Sequence, residues 1–281
     1  MKPLGRPAAL PPKESTITTL SGVRAILFDF DETLAPDEPK VDRAMQTAVA
    51  MLRDREYFLV DRVAEAVLKH ARGLWQASEH HEVMNAIGVS AWEALWARFE
   101  GENPPMPHIR HWVLEAYRPA VWEGLLDALE ITENGLAGQL DLRFQAERRA
   151  LGAELFPETT AVLDALGAQR SLGLVTNGLS CLQREKITAA GLAARFGAIV
   201  VSGEVGYGKP RPEPFLAALD RLAVPPEAAI MVGDSLMRDV AGAHAAGMRA
   251  VWVNRTGKAR VHGPAPDYEV ADLTGLLELL A

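Results

Sequence analysis

Asp29 and Asp31 stand two residues apart at the end of the short apolar run Ala25-Ile26-Leu27-Phe28, with Thr33-Leu34 just beyond. A run of this kind reads as a β-strand buried on both faces. In a continuing strand, residues two apart project to one face, so the two carboxylates would be neighbours. Two bare carboxylates that close repel and desolvate each other. A bound cation offsets that repulsion, and such a pair can also divide nucleophilic from acid–base work.

Other reactive side chains sit in comparable places. Thr176-Asn177-Gly178 follows the apolar run 172–175, Gly208-Lys209 comes after the run 198–201, and Gly233-Asp234-Ser235 follows the run 229–232, with Asp239 close behind. Taken alone, Asn177-Gly178 is an ordinary turn pair. In open parallel sheets, however, ligands bind beyond the carboxyl ends of the strands. Read together, these positions bring acids, an amide, a hydroxyl and a lysine to one edge of a sheet.

The elements that must carry them fall into two textures. From about residue 41 to 153 the pattern is helical, with no convincing strand. Ser90-Ala91-Trp92-Glu93 has the form of a capping box, which predicts a helix to Phe99 with Gly101 as its stop. Pro104, Pro105 and Pro107 separate it from a helix predicted over 109–117. Five of the six tryptophans lie in this segment: Trp75, Trp92, Trp96, Trp112 and Trp122. From Leu155 onward helices at 159–168, 179–190, 212–222, 239–246 and 273–280 alternate with strands at 172–175, 198–201, 229–232 and 250–253. That alternation implies an α/β fold with a parallel sheet covered on both faces. The predicted organisation is a core of residues 21–36 plus 155–281 interrupted by an all-helical insertion, 37–154, with a loose proline-rich leader over 1–20.

The chain has 281 residues, 48% of them hydrophobic and 23% charged, with a net charge of −8. That balance suits a globular enzyme and argues against a nucleic-acid partner. It gives no long-range attraction for an anion, so any phosphate site must be built locally. The single cysteine, Cys181, excludes an intramolecular disulfide and suits a reducing compartment. No run approaches the ~18 apolar residues of a membrane span, and residues 1–20 lack the apolar centre of a secretory signal. A cytoplasmic protein with no membrane partner is the expectation.

Four stretches carry a resemblance to a known family: Asp29-Phe30-Asp31-Glu32-Thr33-Leu34, Leu174-Val175-Thr176-Asn177-Gly178, Lys209-Pro210 and Gly233-Asp234-Ser235-Leu236-Met237-Arg238-Asp239. In order and position they resemble the motifs of the haloacid dehalogenase-like hydrolases, most of which are phosphatases. The resemblance implies a Rossmann-like parallel sheet core with an inserted all-helical cap domain of the family's C1 type. It makes Asp29 the nucleophile that forms an aspartyl-phosphate, and Asp31 the acid and then the base. Mg²⁺ would sit on Asp29, the backbone carbonyl of Asp31, and Asp234, while Thr33 and Asp239 support that shell from behind. Lys209, Thr176 and the N–H groups of Asn177 and Gly178 would hold the phosphoryl group of a small phosphorylated metabolite. Arg211 departs from the family, which often has Asp after Lys-Pro; it is expected to face solvent.

Rival readings leave specific marks. Residues 203–209 have P-loop spacing, but Pro210 stands where Ser or Thr should follow the lysine. Cys181 lacks an arginine six residues on, where Ile187 stands, and reads as a packed side chain. His80, His81, His108 and His111 lack a zinc-site pattern and read as cap surface. Trp92 and Trp96, one helical turn apart, are expected to pack the cap, with one of its tryptophans a candidate for the substrate pocket. Displacing halide needs no acid, so Asp31 disfavours a dehalogenase; a phosphonate hydrolase needs a lysine in the cap, where Lys69 is the one well inside. A phosphomutase of the same fold, or a non-enzymatic phosphate-binding regulatory module, would share these motifs.

Overall fold

The computed structural model describes residues 20–53, 59–104, 106–152 and 154–281. Six parallel strands form one sheet: β1 (Ala25–Phe28), β2 (Ser171–Thr176), β3 (Ala198–Val201), β4 (Ala229–Gly233), β5 (Arg249–Val253) and β6 (Tyr268–Val270), in the order β3-β2-β1-β4-β5-β6. β1 is buried along its whole length because it has a neighbour on each side, Phe28 pairing with Leu174 and with Val232. The strand order reverses between β1 and β4, which opens a crevice at their carboxyl ends. That is where Asp29 and Asp234 emerge.

Between β1 and β2 the described chain is helical: α1 (Glu38–Val49), α2 (Val60–Ala77), α3 (His81–Ala86), α4 (Ala91–Trp96), α5 (Pro107–Trp112), α6 (Arg118–Ala128) and α7 (Leu136–Ala150). α8 (Thr159–Gly167) leads into β2, and α9 (Ser180–Ala189) follows it. After β3 come α10 (Ser202–Val205) and α11 (Glu213–Leu222). α12 (Ala241–Ala245) follows β4, and α13 (Gly275–Leu279) closes the chain.

The sheet is covered on both faces. One face packs Ile26, Phe28, Leu174 and Val232 against Val162 and Leu166 of α8 and Leu276 of α13. The other packs Leu27, Val175 and Met231 against Phe215 of α11 and Ala243 of α12. The helical segment has its own apolar cluster, including Met45, Trp75, Leu95, Trp122 and Phe144, extended by Leu179 and Leu182 at the start of α9. Truncating Trp122 or Phe144 to alanine should cost about 3–5 kcal/mol.

Three differences from the sequence reading have local causes. α4 begins on the predicted capping box but ends at Trp96, short of Phe99. The buried Arg118 takes the carbonyls of Ala94 and Ala97, acceptors that another turn of helix would use. The helix predicted over 109–117 runs on through a π-helical turn, Val113–Tyr117, into α6. Pro119 lacks the N–H that an α-turn would donate to Glu115, and the wider turn accommodates it. β6 was not read from sequence; its Tyr-Glu-Val is short, polar and at the sheet edge. Of the residues read as leader, 1–19 lie outside the described residues, and Leu20 is described. It is buried against the core, and its N–H donates to the Leu279 carbonyl at 2.7 Å.

Candidate active site

Asp29 prolongs the β1 ladder by one hydrogen bond, its N–H donating to Val232 at 3.0 Å. Its carboxylate accepts from Phe30 N–H at 2.7 Å and lies 2.7 Å from the Lys209 ammonium. Lys209 also lies 2.7 Å from Asp239, whose second oxygen accepts from Ser235 N–H at 2.9 Å. Gly233 makes this approach possible: a Cβ there would stand 2.3 Å from the Asp239 carboxylate. Asp239 thus sits behind Lys209, holding the ammonium toward Asp29.

One carboxylate oxygen from each of Asp29, Asp234 and Asp239 lies within 4.8 Å of the others. Burial pushes the Asp234 carboxyl up to about 8, reinforced by Asp239 and Asp29. Burial likewise raises Asp29 to about 6, although Lys209 opposes it. One buried lysine among three such acids leaves excess negative charge, which is the donor set a hard divalent cation fits.

The loop after β2 completes this wall. Thr176 is buried and lines the cleft together with Asn177. The Asn177 side chain accepts from Lys209 N–H at 2.8 Å and donates to the Lys209 carbonyl at 3.1 Å, locking the two loops together. Gly178 departs from expectation. Its N–H donates to Ile87 at 3.1 Å and to the Ser202 hydroxyl at 2.8 Å, so it is not turned to the cleft. The helical segment reaches down here, with Gly208 N–H also donating to the Ala86 carbonyl at 2.8 Å.

Asp31 does not share a partner with Asp29. The chain leaves the strand at Phe30, whose carbonyl accepts from Thr33, Leu34 and Ala35, and Glu32 takes a left-handed φ of 60°. That turn carries Asp31 to Lys186 of α9, whose ammonium lies 2.8 and 2.9 Å from its two oxygens. Gln183 donates to it at 3.2 Å. Lys186 also faces Asp37 at 3.3 Å and Glu93 at 3.7 Å, and Arg148 pairs with Asp37. Burial raises the Asp31 carboxyl to about 6, with Lys186 opposing. Burial works against the Lys186 charge, yet the three acids hold it above its ordinary value. Sequence reasoning assigned Lys186 and Gln183 no role. The available signal was their place on the buried stripe of α9 with Leu179 and Leu182, where apolar residues are the rule.

Thr33 is fully buried but does not line the cleft; its carbonyl accepts from Arg255 at 2.8 Å, and its hydroxyl has no hydrogen-bond partner among the described residues.

The cleft, about 570 Å³, lies between these strand ends and the helical segment, which contributes Arg72, Trp75, His81, Asn85 and Trp92. Arg72 lies over the Trp92 ring at 5.4 Å. Two cap tryptophans, Trp75 and Trp92, therefore reach the cleft, while Trp96 packs beneath Arg148. His80, His108 and His111 line a separate surface cleft. Arg211 is exposed and pairs with Glu213 at 2.6 Å. Cys181 is half-buried, and burial with Glu102 pushes its thiol up to about 12, out of reach of thiolate chemistry.

Comparison with known proteins agrees with this geometry. The haloacid dehalogenase-like hydrolase family model matches residues 23–247. A phosphoserine phosphatase of Thermus thermophilus is 38% identical over 89% of this chain and 96% of its own length. A glyceraldehyde 3-phosphate phosphatase of Methanopyrus kandleri is 44% identical over 89% and 91%. Among solved structures, a haloacid dehalogenase-like phosphatase of Thermococcus onnurineus superposes with a TM-score of 0.54 at 25% identity, over 92% of this chain and 97% of that one. The chain belongs to the haloacid dehalogenase-like hydrolase family. It is an enzyme, and these relatives, matched over nearly their full length, are phosphatases.

Proposed function

We propose that this protein is a divalent-metal-dependent phosphomonoesterase that acts on a small phosphorylated metabolite through an aspartyl-phosphate. The observation that carries the reading is the placement of Asp29. It sits at the end of the central strand, against a buried lysine, on the floor of a cleft that Asp31 also lines. The phosphatase relatives support it.

An oxygen of Asp29 attacks phosphorus as the bond to the leaving oxygen breaks, and Asp31 gives that oxygen a proton. Asp31 then takes a proton from water, which attacks phosphorus and releases Asp29 and inorganic phosphate. Asp31 ends as it began. Lys209 balances charge on Asp29 and the phosphoryl oxygens, and Thr176 orients them. Asp29, Asp234 and the carbonyl of Asp31 would hold Mg²⁺, which supplies charge neutralisation at the phosphoryl group. Asp239 positions Lys209.

Residues 37–154 act in this reading as a lid. A cleft of this volume is sized for a small molecule, and a lid that closes over it excludes protein phosphosites. The substrates named for the relatives, phosphoserine and glyceraldehyde 3-phosphate, are of this class.

The test is release of p-nitrophenol from its phosphate ester with Mg²⁺, comparing wild type with Asp29→Asn. Turnover should fall by about 1,000-fold or more. Equal turnover removes the nucleophile assignment, and full activity after rigorous chelation removes the metal.

A further inference from the structure

Lys186 is a deeply buried charge that the mechanism above leaves unused, its side chain 4% exposed. A lone ammonium is not carried into a protein interior without partners. Here the partners come from three parts of the chain. Asp31 belongs to the loop after β1, Asp37 stands just before α1, and Glu93 lies on α4 of the helical segment. Gln183, one turn earlier on α9, donates both to Asp31 at 3.2 Å and to Glu93 at 3.1 Å. Glu93 is itself fixed by the capping box, accepting from Ser90 N–H at 2.9 Å.

Asp31 has a different need. Its carboxyl is 27% exposed, at the cleft wall, and must present one oxygen to a leaving group in a defined direction. A short carboxylate on a turn has several rotamers open to it. Three donor contacts from one helix face restrict it to one, and that helix starts two residues after Gly178. The same helix face touches the helical segment through Glu93.

Resting on the phosphatase reading of Asp29 and Asp31, we infer that Lys186 is a positioning residue: with Gln183 it holds the Asp31 carboxyl toward the leaving group, and Glu93 ties that hold to the lid. Lys186 does not touch the phosphoryl group, because Lys209 fills that place. It acts through the direction in which Asp31 gives and takes a proton.

The test separates esters by their need for an acid. p-Nitrophenolate leaves without a proton, whereas the alkoxide of an alkyl phosphate such as glycerol phosphate requires one. Lys186→Met keeps the length of the side chain and removes its charge. Its kcat/KM for the alkyl ester should fall by about 100-fold, within the range of a general acid. For the aryl ester kcat/KM should fall only a few-fold, with kcat and KM falling together as hydrolysis of the aspartyl-phosphate slows. Gln183→Met, which removes one donor and leaves the charge balance intact, should show the same selectivity at about 5-fold, and carries the test if Lys186→Met does not fold. Folded variants whose kcat/KM falls equally for both esters, or for neither, overturn the proposal. Wild-type protein that turns over neither ester overturns the phosphatase reading and this inference with it.

Discussion

The carbonyl oxygen of Ile87 accepts a hydrogen bond from Gly178 N–H at 3.1 Å, which fastens the helical segment to the loop that carries Thr176 and Asn177. The Ser202 hydroxyl donates to the same carbonyl at 2.5 Å, and Gly208 N–H takes the neighbouring carbonyl of Ala86. A helical segment docked by backbone groups leaves little room for side chains at the contact, and the next residue is glycine.

Gly88→Ala tests that contact. A Cβ there would meet the Asn177 amide nitrogen at 2.5 Å, and the residue holds a φ of +74°. The left-handed backbone alone should cost about 1–2 kcal/mol. Displaced Asn177 would release its two hydrogen bonds to Lys209. The expected result is kcat/KM lowered by about 10-fold or more, from a misplaced Lys209, with a modest drop in melting temperature. Unchanged kinetics would show that the loop absorbs the methyl group.

Lys209→Met should act on stability as well as rate. It leaves Asp29 and Asp239 buried without their shared cation. Breaking a buried pair from one side costs about 3–5 kcal/mol. Urea midpoints in chelator should fall accordingly, and added Mg²⁺ should recover part of the loss. A midpoint equal to wild type would mean that the two acids take up protons at little cost.

Metal binding can be read without turnover. A cation that binds only the folded state stabilises it by about 2.7 kcal/mol at a hundred times its Kd. Mg²⁺ should therefore raise the melting temperature of chelator-treated protein. Asp234→Asn should abolish most of that rise, while raising the melting temperature of the metal-free protein by relieving its crowded carboxylates. A rise that survives Asp234→Asn would place the cation elsewhere.

Acid should weaken the hold of Asp37 on Lys186 and Arg148 only at low pH. Burial alone would raise the Asp37 carboxyl, but Lys186 and Arg148 more than offset this and hold it below its ordinary value of 3.8. A carboxyl whose folded value is depressed adds stability that is complete above the unfolded value and is lost as pH falls through the folded one. The advantage of wild type over Asp37→Asn should therefore be full at pH 6 and shrink below about pH 4. Unfolding free energies of both proteins across that range check it; a gap that does not narrow would assign the effect to packing.

Sequence and tertiary structure divided the information unequally. Asp29, Thr176 and Asp234 were legible because each directly follows an apolar run that reads as a buried strand, and parallel strands deliver their carboxyl ends to one edge; Lys209, farther beyond its strand, was legible through the Lys-Pro motif. The α/β alternation, the helical insertion and the capping box at Ser90 were legible for the same local reason: hydrophobic period and turn chemistry act over a few residues. Only the tertiary structure decided what pairs with what. It gave the Gly178 N–H to Ile87, brought Trp75 and Trp92 to the cleft, and turned Asp31 away from Asp29 to Lys186. Lys186 and Arg148 are unremarkable in sequence, because a charged residue on a helix reads as solvent-facing, and nothing local to Asp37 or to the capping-box Glu93 specifies a buried ammonium as partner. Their burial is a property of three segments closing on one another, and the energy of a buried charge depends on partners that no local pattern specifies.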